Sequence, residues 1–168
     1  MKKLSQVLLV TVLMSVLVFA GSAPAASARE LKILQFGTMV GVPQPLTGAQ
    51  APIRGINGGG LPWMVGSAQG SLTASGALKV SVKGLVFAAG PNTGSNTVAQ
   101  FRALVSCINA DGTISNIPTA AVPATLGSAD TGGGDAEIET TVALPHPCIA
   151  PIIFVTSPGG SWFAATGY

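Results

Sequence analysis

Charge is scarce in this sequence. Only 8% of its 168 residues are Asp, Glu, Lys or Arg, aromatic residues make up 5%, and there are one histidine and two cysteines. Each scarcity excludes a class of chemistry. Without a basic patch, the chain lacks the electrostatic footprint for nucleic acid or an anionic membrane surface. The single histidine, His146, is held between Pro145 and Pro147 with no distinguished serine and no Gly-x-Ser-x-Gly elbow to complete a hydrolase triad. Gly55-Ile56-Asn57-Gly58-Gly59-Gly60 is rich in glycine, but no Gly-Lys-Ser/Thr follows, so it is not a phosphate loop. No internal repeat argues for a solenoid or propeller. The expectation is therefore no catalytic residue, no metal and no cofactor.

The longest apolar run lies at the N-terminus. Met1-Lys2-Lys3 precedes Val7–Ala20, which is interrupted only by Thr11 and Ser15. That run is short for a membrane span of roughly 20 residues. Pro24 and the small-residue pattern Ala26-Ser27-Ala28 follow it, so residues 1–28 read as a signal peptide cut after Ala28. No cysteine follows for lipid attachment and no apolar tail closes the sequence, so no membrane association is expected after cleavage. The cut removes Lys2 and Lys3. What remains, 168 − 28 = 140 residues, carries six cations (Arg29, Lys32, Arg54, Lys79, Lys83, Arg102) and six acids (Glu30, Asp111, Asp130, Asp135, Glu137, Glu139). The product is a neutral chain of single-domain length, secreted or otherwise extracytoplasmic: extracellular, cell wall or periplasm.

In that compartment, Cys107 and Cys148 read as one disulfide. Closing a loop of this length stabilises a fold by about 4 kcal/mol in the chain-entropy model. The alternative, a metal site of Cys107, His146 and Cys148, offers three soft ligands where structural zinc needs four at regular spacing.

Period-two alternation dominates the mature chain. In 77–87 (ALKVSVKGLVF), Leu78, Val80 and Val82 point one way and Lys79, Ser81 and Lys83 the other. In 100–108, Phe101, Ala103, Val105 and Cys107 share a face; in 136–144, Ile138, Thr140, Val142 and Leu144 point inward and Glu137 and Glu139 outward. Residues 151–157 are apolar on both faces, 161–166 form a final strand, and 31–40 and 67–74 are weaker candidates. Ala74-Ser75-Gly76 makes a hairpin of 67–74 and 77–87, and Asp111-Gly112 a second turn. About seven strands with Gly/Pro punctuation and no helical stripe predict an all-β, antiparallel sandwich of immunoglobulin-like architecture, with a small barrel as the alternative. Three long linkers, 41–63, 88–99 and 118–135, stand out; loops of such length are usually functional or disordered.

Asp130-Thr131-Gly132 is the tripeptide of aspartic proteases, which need two such loops sharing a proton. One copy would require a dimer, and a Gly-rich turn is the favoured reading, given the turn propensity of Asp and Gly. Gly132-Gly133-Gly134-Asp135 is a single copy of a pattern that binds calcium only when stacked. The binding candidates by residue type are Trp63, at the end of the 41–63 loop, with Arg54 and Asn57 nearby as hydrogen-bonding groups. Trp162 reads as core. The Lys79/Lys83 and Glu137/Glu139 faces read as solvated strand surfaces with cross-strand ion pairs.

The segments GGGLPW, GSLTASGALKVSVKGLV and RALVSC…DG…LPHPCIAPIIFVTSPGGSWFAATG give the chain its one resemblance. It resembles short secreted proteins of uncharacterised function from soil bacteria such as actinobacteria and chloroflexi. The resemblance covers most of the mature chain and implies export and a β-domain, with no activity and no site residue to carry over. The functional expectation is a secreted, non-enzymatic binding or cell-exterior structural module whose partner is a cell-wall polymer, polysaccharide or extracellular protein. The alternatives are a small secreted hydrolase, in its sharpest form a dimeric aspartic protease, or a protease inhibitor presenting a rigid loop.

Overall fold

The alternating run at residues 77–83 buries Leu78, Val80 and Val82 and leaves Lys79 and Lys83 in solvent, as a strand with one solvated face must. It belongs to a computed structural model that describes residues 30–166; the expected signal peptide, residues 1–28, lies outside them. Among the described residues fourteen strands and one 3-10 turn, Ala129–Thr131, are formed. The strands are β1 (Lys32–Phe36), β2 (Met39–Gly41), β3 (Trp63–Met64), β4 (Ser67–Thr73), β5 (Ala77–Lys83), β6 (Val86–Phe87) and β7 (Ser95–Asn96). They continue with β8 (Gln100–Ile108), β9 (Ile114–Pro118), β10 (Val122–Pro123), β11 (Gly127–Ser128), β12 (Ala136–Thr141), β13 (Ile149–Thr156) and β14 (Trp162–Thr166).

The first sheet has the order β1-β4-β5-β12. The second has the order β10-β8-β13-β14-β2, with β9 pairing β8. Both are antiparallel and neither closes on itself, so the fold is a β-sandwich and the barrel alternative is excluded. Both expected hairpins form. β4 and β5 meet through Gly76, whose φ of 91° suits glycine, and β8 and β9 meet through Gly112 at 84°.

The core lies between the sheets. From the first sheet it takes Leu72, Leu78, Val80, Val82 and Ile138; from the second, Phe101, Ala103, Val105, Ile153 and Val155. One expectation fails here: Thr140, on the inward register of β12, is exposed. A bulge in β14 adds an aromatic layer. Val155 faces Ala164 and Thr156 faces Trp162, so Phe163 is an extra residue. Phe163 joins Trp63 and Phe101 in the core, while Trp162 packs against Phe154 on the sheet's other side. Cys107 and Cys148 form the expected disulfide, with Cα atoms 5.0 Å apart. The bridge ties β8 to the start of β13 and points to an oxidising, extracytoplasmic environment. Among the described residues no helix is long and apolar enough to cross a membrane.

The long 41–63 linker is a strap packed on the second sheet. Val42 and Gly59 donate to the carbonyls of Phe163 and Trp162, and the Trp162 N–H donates to Asn57, so the strap continues the β14 edge where β2 stops. Gly48 closes it by bonding Gly58 and Gly59; a Cβ on Gly58 would collide with the Leu46 carbonyl. Ile53 and Ile56 exchange both backbone bonds around Arg54 and Gly55, which lie at φ 50° and 79°. Positive φ at both central residues is the geometry of a type I′ turn.

Candidate functional site

The three residues expected to bind a ligand have different surroundings. Trp63 is 4% exposed, stacked on Phe163 at 4.1 Å, tilted against Phe87 at 4.2 Å and edge-on to Phe101. Its ring offers a ligand no face, so the binding candidate by residue type is a core residue. The reason is placement: the strap ends by returning its last residue to the core, and β3 then pairs with β6.

Arg54 is a latch. Its guanidinium donates to the carbonyls of Ser106 at 2.8 Å and Ala150 at 2.7 Å, and Asn116 Nδ2 donates to the Arg54 carbonyl at 3.0 Å. Ala150 can accept because the β13–β8 register breaks between Ile149 and Ile152. Burial pulls the Arg54 guanidinium below its ordinary pKa. Asn57 keeps an exposed side chain while its carbonyl holds Trp162. Trp63, Arg54 and Asn57 thus serve the core, the latch and the sheet edge respectively.

The remaining motif residues stay apart. Asp130 is exposed in the 3-10 turn, whose N-cap is Ser128; its backbone N–H donates to Ser128 Oγ at 3.3 Å. His146 is exposed in the connection between β12 and β13. Asp111 accepts from the Thr113 hydroxyl at 2.7 Å and from the Thr113 N–H at 3.0 Å. Those bonds hold its carboxyl below the usual range. No group of three or more His, Cys, Asp or Glu among the described residues could hold a metal ion.

A groove does form, on the outer face of the first sheet. Strand pairing aligns two polar rows across it. Gln35, Ser71, Lys79 and Glu139 make one row, and Gln69, Ser81 and Glu137 the other. They line a groove of about 540 Å³. Within it Lys79 Nζ lies 2.6 Å from Glu139 Oε1, Ser81 Oγ donates to Glu137 Oε1 at 2.5 Å, and Lys32 Nζ reaches Gln35 Oε1 at 3.4 Å. Amides, hydroxyls and a self-neutralised ion pair can offer many directional hydrogen bonds at little net charge. The alternation of β5 and β12 shows these side chains facing outward, and the expected cross-strand ion pair is present. The sequence does not show that β1 and β4 bring Gln35, Gln69 and Ser71 into the same rows. Only the register does that.

No family model, curated protein or solved structure matches the chain.

Proposed function

We propose that the chain is an exported, non-enzymatic binding module whose ligand surface is the polar groove of the first sheet. Export rests on the signal-peptide pattern of residues 1–28 and agrees with the Cys107–Cys148 bridge. The observation that carries the binding reading is the pair of cross-strand rows. Two amides, two hydroxyls, the Lys79–Glu139 pair and Glu137, whose charge Lys32 offsets in the groove lining, face solvent on a rigid sheet. Such a surface suits a neutral, polyhydroxylated polymer at the cell exterior, because hydroxyl groups both donate and accept and need no counter-charge. The groove is preformed by backbone pairing, so little ordering cost attends binding.

Calorimetric titration of the purified protein with soluble neutral wall polysaccharides tests this. Saturable binding is expected, weakened at least tenfold in a Gln69→Ala/Lys79→Ala double variant that keeps its folding stability. Native-like affinity in that variant assigns the ligand to another surface, and no saturable binding to any neutral polysaccharide overturns the reading.

A further inference from the structure

Five cations belong to the described residues. Four have acceptors: Lys79 has Glu139, Lys83 has Asp135 at 3.7 Å, Lys32 has Gln35, and Arg54 has two carbonyls. Arg102 differs. Among the described residues its guanidinium joins no ion pair, and its buried Nε has no hydrogen-bond partner. A second such donor is Trp162 Nε1, on a residue only 2% exposed.

The pairing places the two residues in one cross-strand row. Thr156 is the cross-strand partner of Arg102 on one side and of Trp162 on the other. All three side chains therefore share the outer face of the second sheet in a single row. The Arg102 guanidinium lies against the turn after β13: a Cβ on Gly160 would come within 3.3 Å of Nη2. Asn57, whose carbonyl takes the Trp162 N–H, stands at the other end of the row with its side chain exposed. Buried donors rarely stay unpaired, because loss of water without a replacement acceptor is uncompensated. The guanidinium fork matches a planar two-oxygen acceptor, and an indole N–H can only donate.

We infer that Arg102 and Trp162 form a site for a carboxylate group at the Ser157–Gly160 turn, distinct from the polar groove. The Nε and Nη2 edge of Arg102 holds the two oxygens, and Trp162 Nε1 donates to one of them. Gly160 sets no Cβ against Nη2, and the partly exposed Arg102 marks the side from which the ligand enters. Two sources share this chemistry, an acidic sugar unit and a peptide C-terminus.

Titrations followed by 1H–15N NMR at constant ionic strength test the site, with the assigned Trp162 indole N–H as the readout. The probes are propionate, digalacturonate, and trialanine with a free or an amidated C-terminus. The indole resonance is expected to move saturably with propionate. Saturation by digalacturonate alone identifies a uronate ligand, and saturation by free-acid trialanine alone a peptide terminus; either supports the site. The amidated peptide is expected to leave the resonance in place. Arg102→Met should raise the propionate Kd at least tenfold while its spectrum stays dispersed, and Arg102→Lys should lose most of that affinity despite keeping the charge. An indole resonance that moves linearly with every salt, or equally in Arg102→Met, overturns the inference. If Arg102→Met does not fold, the Arg102→Lys comparison and the amide control decide alone.

Discussion

The two outer faces of this sandwich begin from similar strands and end in opposite conditions. The first sheet leaves most of its outer face to water, and its two groove rows there are made of Gln, Ser, Lys and Glu. The second sheet carries Leu104, Ser106, Phe154, Thr156 and Trp162 on its outer face, and all are buried. The strap accounts for this. Asn116 is the cross-strand partner of Ser106, so both side chains point outward, and Asn116 bonds the strap backbone at Arg54. The strap therefore lies over that face, and Ile56 is buried in the core cluster. A sheet face can be apolar only if something covers it, and a loop can do this as well as a third layer can. The bare face stays open to solvent, while the covered face is packed apart from the partly exposed Arg102.

That contrast can be broken most sharply at Phe154. Phe154→Ala is expected to cost about 3–5 kcal/mol, the usual loss for a buried phenylalanine. Urea denaturation measures it, and a loss under 1 kcal/mol would mean that the strap does not seal the face. Next comes the bridge, which braces only the covered sheet. A Cys107→Ala/Cys148→Ala double variant should lose about 2–4 kcal/mol, seen as an earlier urea midpoint than that of the oxidised protein.

Arg54→Ala tests the latch itself. Leaving the Ser106 and Ala150 carbonyls without their donor should cost about 1–3 kcal/mol. Amide exchange should quicken at Ile53 and Ile56 before it does in β5; uniform protection across both would refute the latch. On the bare face, Lys79→Ala should change stability by no more than about 1 kcal/mol, because both partners of its ion pair are well exposed.

The smallest effect is expected at Asp111. Its folded pKa is lowered, so the hydrogen bonds from Thr113 stabilise the turn at pH values above the unfolded carboxylate range. They are lost as pH falls through the folded value. The Thr113 amide resonance should report this titration, and Asp111→Asn should abolish it.

Much of the first sheet was legible because its pattern is one-sided. Leu78, Val80 and Val82 against Lys79, Ser81 and Lys83 can be placed on two faces by alternation alone, and the turn at Ala74-Ser75-Gly76 fixes the β4–β5 partner. The second sheet was harder. Alternation groups Phe101, Ala103, Val105 and Cys107 on one face, but Leu104 and Ser106 carry no mark of burial, since their cover comes from a segment about fifty residues earlier. Trp63 shows the same limit from the other side. A tryptophan closing a Gly/Pro-rich loop looks available, and only the arrival of Phe87, Phe101 and Phe163 from three other elements makes it core.

The sequence by itself determined the local terms. Alternation set the strands and their inward faces, glycine set the hairpin turns, and two cysteines with only each other as partner set the bridge. These depend on neighbours along the chain or on a choice with only one partner. The tertiary structure decided everything that depends on register: which polar side chains share a row in the groove, where the strap lies, and that Arg102 and Trp162 flank one threonine. Register is fixed by the summed packing of whole strands, and a shift of one residue would turn every side chain to the other face.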